Sequence, residues 1–225
     1  LNGIWLRLNA IFSFIFVVIK NIIMQSIIDL KEGLAETIRN YNQKGWSPAT
    51  STNYSFRESN QSNEFFISKS GIDKSIFLSS DFIQVNREGI STLLNDESKP
   101  SAETLIHSII YALFPDTTVI LHSHSIYPVM LSRKMKESVS FEGYELQKGF
   151  TGQDTHEKEV NIPIFKNSQN MEFFRKELLN RKQDLINACF IIKQHGTYAW
   201  GTSLFEAKRH LETLEYLCQY KLMEI

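Results

Sequence analysis

The sequence predicts an α/β fold of the α+β type: a central, mostly antiparallel sheet sandwiched by helices. Helix-period and strand-type segments are both present, yet they do not follow the regular strand-helix alternation of a doubly wound sheet. The short β-type runs gather instead into a meander near residues 65–85. With 225 residues and 42% apolar side chains, the chain has enough material for one full hydrophobic core.

The elements follow in order. Residues 1–23 form an apolar segment in which Ala10 to Ile19 is almost wholly hydrophobic and Arg7 precedes it, as in a signal peptide. That stretch is too short to span a bilayer as a helix, and Lys20, Asn21 and bulky isoleucines follow it where a small-residue cleavage site would stand. We read residues 1–23 as an extension outside the working fold, with an anchor or a packed helix as the alternatives. A single domain then occupies residues 24–225. Ile28, Leu30, Leu34, Ile38 and Tyr41 recur at helical spacing until Gly45 and Pro48 stop the pattern. β-type runs are expected at Phe65 to Ser68, Ser75 to Leu78 and Phe82 to Val85, separated by turn residues. Ser101 is placed to cap a helix whose apolar face carries Leu105, Ile109 and Leu113. Thr117 to Leu121 is a buried strand running into His122. Ser125 opens a short helix, the segment beyond Gly143 reads as helical, and a strand ends at Ile162 to Phe165. A helix over Met171 to Arg181 and a β-rich run over Ala188 to Ile192 precede His195, and an amphipathic helix from Leu204 to Leu222 closes the chain.

Charge excludes some partners. The 24 basic and 25 acidic residues nearly cancel, and no basic block is present that would neutralise a run of phosphates, so no nucleic-acid partner is expected. Cys189 and Cys218 are far apart without a C-x-x-C spacing, which argues for a reducing, cytoplasmic setting and against both a disulfide framework and a thiolate zinc site. No membrane association is expected of the working fold.

The chemistry is concentrated in the histidines. His122 and His124 of L-H-S-H-S are two apart, which on a strand puts both imidazoles on one face, close enough to share a tetrahedral ion, and turns Ser123 the other way. His195, at the end of a buried run and followed by Gly196, is the best third ligand. Three neutral ligands leave zinc strongly Lewis acidic, able to polarise a ketone and stabilise an enediolate. By spacing alone, such a pair also fits ordinary surface or core histidines. His107 and His210 read as structural, and His156 stays undecided.

Taken together, LHSHSIYPVMLSR, FEGYELQKGF, THEKEVNIPIF and KQHGTYAWG with its trailing EAKRHLETLEYL resemble the methylthioribulose-1-phosphate dehydratase branch of the class II aldolase/adducin-like family, from about Ile27 to the C-terminus. The resemblance implies a class II aldolase-like fold, one zinc ion per subunit on His122, His124 and His195, and a homotetramer with active sites near subunit boundaries. It implies Glu145 of E-L-Q-K-G as general acid/base. Glu103 of P-S-A-E looks like the carboxylate that serves the family's aldolases as acid/base and touches zinc; by residue alone each glutamate also fits an ordinary helix position. Phosphate contacts are implied at Asn53, Ser70, Gly71 and Ser101, with Lys74 as a charged one. Two turns depart from the family pattern: Thr52-Asn53-Tyr54-Ser55 has Thr where the family has Gly, and Ser68-Lys69-Ser70-Gly71 stands for its T-P-S-G. Thr resists positive φ, so the first change bears on how closely the backbone approaches the phosphate. The implied reaction is dehydration of methylthioribulose 1-phosphate; retro-aldol or epimerase chemistry and a non-catalytic adducin-like interaction role are the alternatives.

Overall fold

Alternation along the central strands decides which layer each side chain joins. The computed structural model describes residues 2–92 and 99–225. Eight strands are present among them: β1 Tyr54–Phe56, β2 Glu64–Ser68, β3 Phe82–Asn86, β4 Val119–Ser123, β5 Ser138–Phe141, β6 Val160–Phe165, β7 Cys189–Ile192 and β8 Gly196–Gly201. They form one sheet in the order β3-β2-β1-β4-β8-β7-β6-β5. Every neighbouring pair is antiparallel except β6 with β7. The helices are α1 Asn2–Gln43, α2 Thr104–Leu113, α3 Ile126–Lys134, α4 Met171–Asn180 and α5 Leu204–Glu224.

Successive side chains of a strand point to opposite faces, and the sheet has a core on each. Val119, Leu121, Cys189, Ile191 and Ala199 pack with Leu34 and Ile38 of α1, Leu131 of α3 and Leu211, Leu214 and Leu217 of α5. Ile120, Phe190, Ile192, Tyr198 and Trp200 pack on the other face with Ile106 and Ile110 of α2 and Phe174 and Leu178 of α4. The expected sheet sandwiched by helices is therefore observed.

Several local expectations need correction. Ser75 to Leu78 is not a strand: Lys74–Ile76 is a 3-10 turn, because Asp73 accepts hydrogen bonds from Ser75 N (2.8 Å) and Ser75 Oγ (2.8 Å) and closes the chain locally. Beyond Gly143 only a 3-10 segment, Glu145–Gly149, forms rather than an α-helix. Ser101 acts earlier than a first-turn cap. Its carbonyl accepts from Thr104 N (3.1 Å) and Thr104 Oγ1 (2.6 Å), and Glu103 occupies the N-cap position. Apart from these corrections, α1 is continuous through Met24, and its Ile27 and Leu30 pack against the core. Among the described residues, no helix is long and apolar enough to cross a membrane.

Candidate metal centre

The alternation that buries Leu121 on one face turns His122 to the other, and His124 follows just beyond the end of β4. The two Nε2 atoms are 2.8 Å apart. His195 arrives from a neighbouring strand pair. Three residues, Lys193 to His195, link β7 to β8, with Ile192 paired to Gly196 and Gln194 at φ 58°, the left-handed residue that such a tight hairpin needs. Because β8 pairs with β4, His122 opposite Tyr198 and Ser123 opposite Thr197, the turn delivers His195 to the same corner. The ring centres lie 4.6 Å (His122–His124), 5.1 Å (His122–His195) and 4.8 Å (His124–His195) apart.

A carboxylate completes the group. Glu103 Oε1 lies 2.7 Å from His195 Nε2, and its Oε2 lies 3.3 Å from His122 Nε2. One potential ligand atom from each of Glu103, His122, His124 and His195 falls within 4.8 Å of all the others. Burial favours a neutral Glu103, but His122 and His195 overcome that and hold its carboxyl well below the usual carboxylate range. Burial, with His122 and His195 close by, pushes His124 down to about 3 and keeps its imidazole neutral.

The donor set fits a divalent ion of zinc's type. His122 Nδ1 donates to the Thr197 carbonyl at 2.8 Å, which fixes the ring orientation and turns Nε2 toward the cluster, where a neutral imidazole would present its lone pair to an ion. Tyr198 stacks on the His122 ring with centroids 4.1 Å apart and donates its hydroxyl to Glu103 Oε2 at 3.2 Å. Gly196 leaves the space beside the rings clear: a Cβ there would stand 2.9 Å from His124 Cδ2 and 3.1 Å from His122 Cε1.

A cleft of about 460 Å³ opens over the cluster, lined by small polar residues that include Thr52, Asn53, Ser70, Ser101 and Ser168. Asn53 sits at its hub. Its Nδ2 donates to Glu103 Oε2 (2.5 Å) and Ser101 Oγ (3.1 Å), while its Oδ1 faces His107 Nε2 at 2.5 Å. Since ionised Glu103 only accepts, the amide orientation is determined, and His107 must carry its proton on Nε2 and accept from Ser55 Oγ (2.7 Å) on Nδ1. Thr52 takes φ 71° despite its β-branch, so the replacement of glycine does not prevent the left-handed turn.

The structure thus brings together His122, His124, His195, Glu103, Asn53, Ser70 and Ser101, with Gly71 beside Ser70 at φ 76°. Two candidates lie apart. Lys74 is fully buried, donates from Nζ to the Ile72 carbonyl at 3.0 Å and does not line the cleft, because the 3-10 turn carries it inward toward Phe77. Glu145 is exposed at the surface of its own chain, where it pairs with Lys148 and, at 3.3 Å, with His156 Nδ1. His107, Tyr198 and Thr197 join the site without a spacing signal of their own.

The profile described as the class II aldolase and adducin N-terminal domain matches residues 32–222, and the chain belongs to that family. Within it, the sequence is similar to methylthioribulose-1-phosphate dehydratases. It is 46% identical to that of Picosynechococcus sp., over 87% of this chain and 92% of the relative, and 39% identical to that of Enterobacter sp., over 85% and 94%. Among solved structures, the L-fuculose-1-phosphate aldolase of Thermus thermophilus shares the fold, with a TM-score of 0.67 at 21% identity over 89% of this chain and 95% of that one.

Proposed function

We propose that the chain is a zinc-dependent hydro-lyase that converts 5-methylthioribulose 1-phosphate to 2,3-diketo-5-methylthiopentyl 1-phosphate and water, a step of methionine salvage in the cytoplasm. The observation that carries this reading is the convergence of three imidazoles and a carboxylate in a polar cleft, in a chain 46% identical to a methylthioribulose-1-phosphate dehydratase. His122, His124 and His195 would hold one ion per subunit. When bound, zinc supplies a Lewis acid that polarises the ketone and stabilises charge developing on its oxygen.

The chain's own residues carry the rest. Glu103, ionised between His122 and His195, accepts the proton from the carbon beside the ketone. The hydroxyl on the next carbon leaves as water, and the resulting enol tautomerises to the second ketone, so no redox cofactor takes part. Glu145 would assist that departure from a neighbouring subunit of a homotetramer, since its own chain keeps it exposed beside Lys148 and His156. Burial at such a boundary would raise its proton affinity, as a general acid requires. Asn53, Ser70, Gly71 and Ser101 are suited to the phosphate, which needs hydrogen-bond donors.

Glu103 among the histidines also favours a second reading, retro-aldol cleavage of a sugar phosphate. One product assay separates them. Zinc-loaded protein incubated with methylthioribulose 1-phosphate should give the diketone; a two- or three-carbon phosphate fragment instead would assign aldolase chemistry. A protein that neither contains nor takes up a divalent ion would support the non-catalytic, adducin-like alternative.

A further inference from the structure

The carboxylate of Glu215 is 2% exposed and enters none of the steps above. It reaches from α5 to the face of the sheet opposite the cleft, where three hydroxyls converge on it. Ser123 Oγ donates to Oε1 at 2.5 Å, Thr197 Oγ1 donates to the same oxygen at 3.2 Å, and Ser125 Oγ donates to Oε2. These donors are interleaved with the ligands. Ser123 separates His122 from His124, Ser125 follows His124, and Thr197 lies two residues beyond His195. The Thr197 carbonyl is also the acceptor that fixes His122 Nδ1–H.

A buried carboxylate is costly to desolvate, and a leucine would fill the same space without that penalty. The distribution of its partners is what a packing role leaves unexplained: one side chain ties from behind the two paired strands that position the three histidines. We infer that Glu215 is a positioning residue that sets the affinity of the histidine centre for its ion, by holding β4 and β8 in register and by keeping Thr197 where it orients His122. The inference rests on the reading that the three histidines bind a divalent metal.

The test is a zinc titration of the full chain against a chromophoric chelator, alongside nitrogen-15 histidine NMR and melting curves of the metal-free protein. Glu215→Leu is expected to weaken zinc binding by about 10- to 100-fold. Glu215→Gln keeps one acceptor oxygen for the hydroxyls and should recover part of that loss. The His122 Nδ1–H proton should exchange faster in Glu215→Leu than in the wild type, a change that loss of packing elsewhere would not produce. Zinc affinity in Glu215→Leu within about twofold of the wild type overturns the inference. So do equal losses in both variants that track a lowered melting temperature while the His122 proton is unchanged. Should Glu215→Leu fail to fold, Glu215→Gln and Ser125→Ala carry the same comparison, and wild-type affinity in both overturns it. Wild-type protein that binds no zinc removes the metal reading and the inference with it; tight binding indifferent to Glu215 removes the inference alone.

Discussion

Gly196→Ala is a sharp probe of how the centre depends on the strands behind it. The added methyl would stand 2.9 Å from His124 Cδ2, 0.5 Å inside the 3.4 Å at which ordinary contact begins, and closer still to the Ser123 carbonyl oxygen. Neither obstacle is the loose end of a flexible side chain. Ser123 is held in register opposite Thr197, and the His124 backbone N–H is bonded to the Trp46 carbonyl at 2.8 Å. Relief therefore requires β4 and β8 to part by about half an ångström or more, whereas coordination distances tolerate only about 0.2 Å. Overpacking of this kind costs about 1–3 kcal/mol, or roughly 2–12 °C in melting temperature for a chain of this size. The greater effect should fall on function: a loss on the order of 10- to 100-fold in kcat, by analogy with the penalty for misplacing reacting groups. Metal titration, steady-state kinetics and calorimetry of the variant read the three quantities. Wild-type affinity, rate and melting temperature together would refute the argument that the paired strands hold the ligands rigidly.

Three further outcomes follow from the geometry. Glu103→Gln removes the carboxylate charge while preserving its shape, and should lower turnover about 10²- to 10⁴-fold with folding retained; undiminished turnover would take Glu103 out of proton transfer. Burial, with His122 nearby, pushes His107 down to about 3 from 6.5, so the unfolded chain takes up a proton that the fold refuses. The stabilising contribution is complete above pH 6.5 and declines as the pH falls toward 3, at about 1.4 kcal/mol per pH unit, or about 2 kcal/mol by pH 5. His107→Gln should flatten that part of the stability profile in denaturant titrations, and an unaltered slope would show that another group is responsible. Lys74→Met should leave the KM for a phosphorylated substrate within about twofold of the wild type, since Lys74 is fully buried, bonded to the Ile72 carbonyl and absent from the cleft lining; a tenfold rise would restore it as a phosphate contact.

The parts of the site legible in the sequence are those that a local period dictates. Two histidines two residues apart at the end of an apolar strand must share a face, and a glycine after His195 marks a turn. Glu103 was visible as a residue, though its role follows only from where the cap of α2 aims it. β1 has three residues and β8 is flanked by glycines, so neither offers enough alternation to be recognised. Ile76 and Leu78 imitate a strand in sequence, yet both are exposed because Asp73 folds the chain into a 3-10 turn. Glu215 and His107 were hidden for a different reason. Glu215 lies on an amphipathic helix where a charged residue ordinarily faces water, and His107 reads only as a structural histidine; pairing across 90 positions for Glu215–Ser125 and 54 for His107–Asn53 is what ties them to the site.

The central position of β4 and β8 has a consequence for biosynthesis. β4 carries His122 and leads directly into His124, but its partner β8 comes much later in the chain, with Thr197 lying 75 positions beyond His122 and His195 standing just before that strand. During translation β4 can pair with β1 while its other edge remains a row of unsatisfied amides and carbonyls beside Val119, Ile120 and Leu121. The nascent chain must protect that edge until the hairpin at His195 emerges. Assembly of the candidate metal site is thus a late event that coincides with completion of the sheet, and chains truncated before Gly196 should be recognised by chaperones and proteases rather than accumulate as partly folded protein.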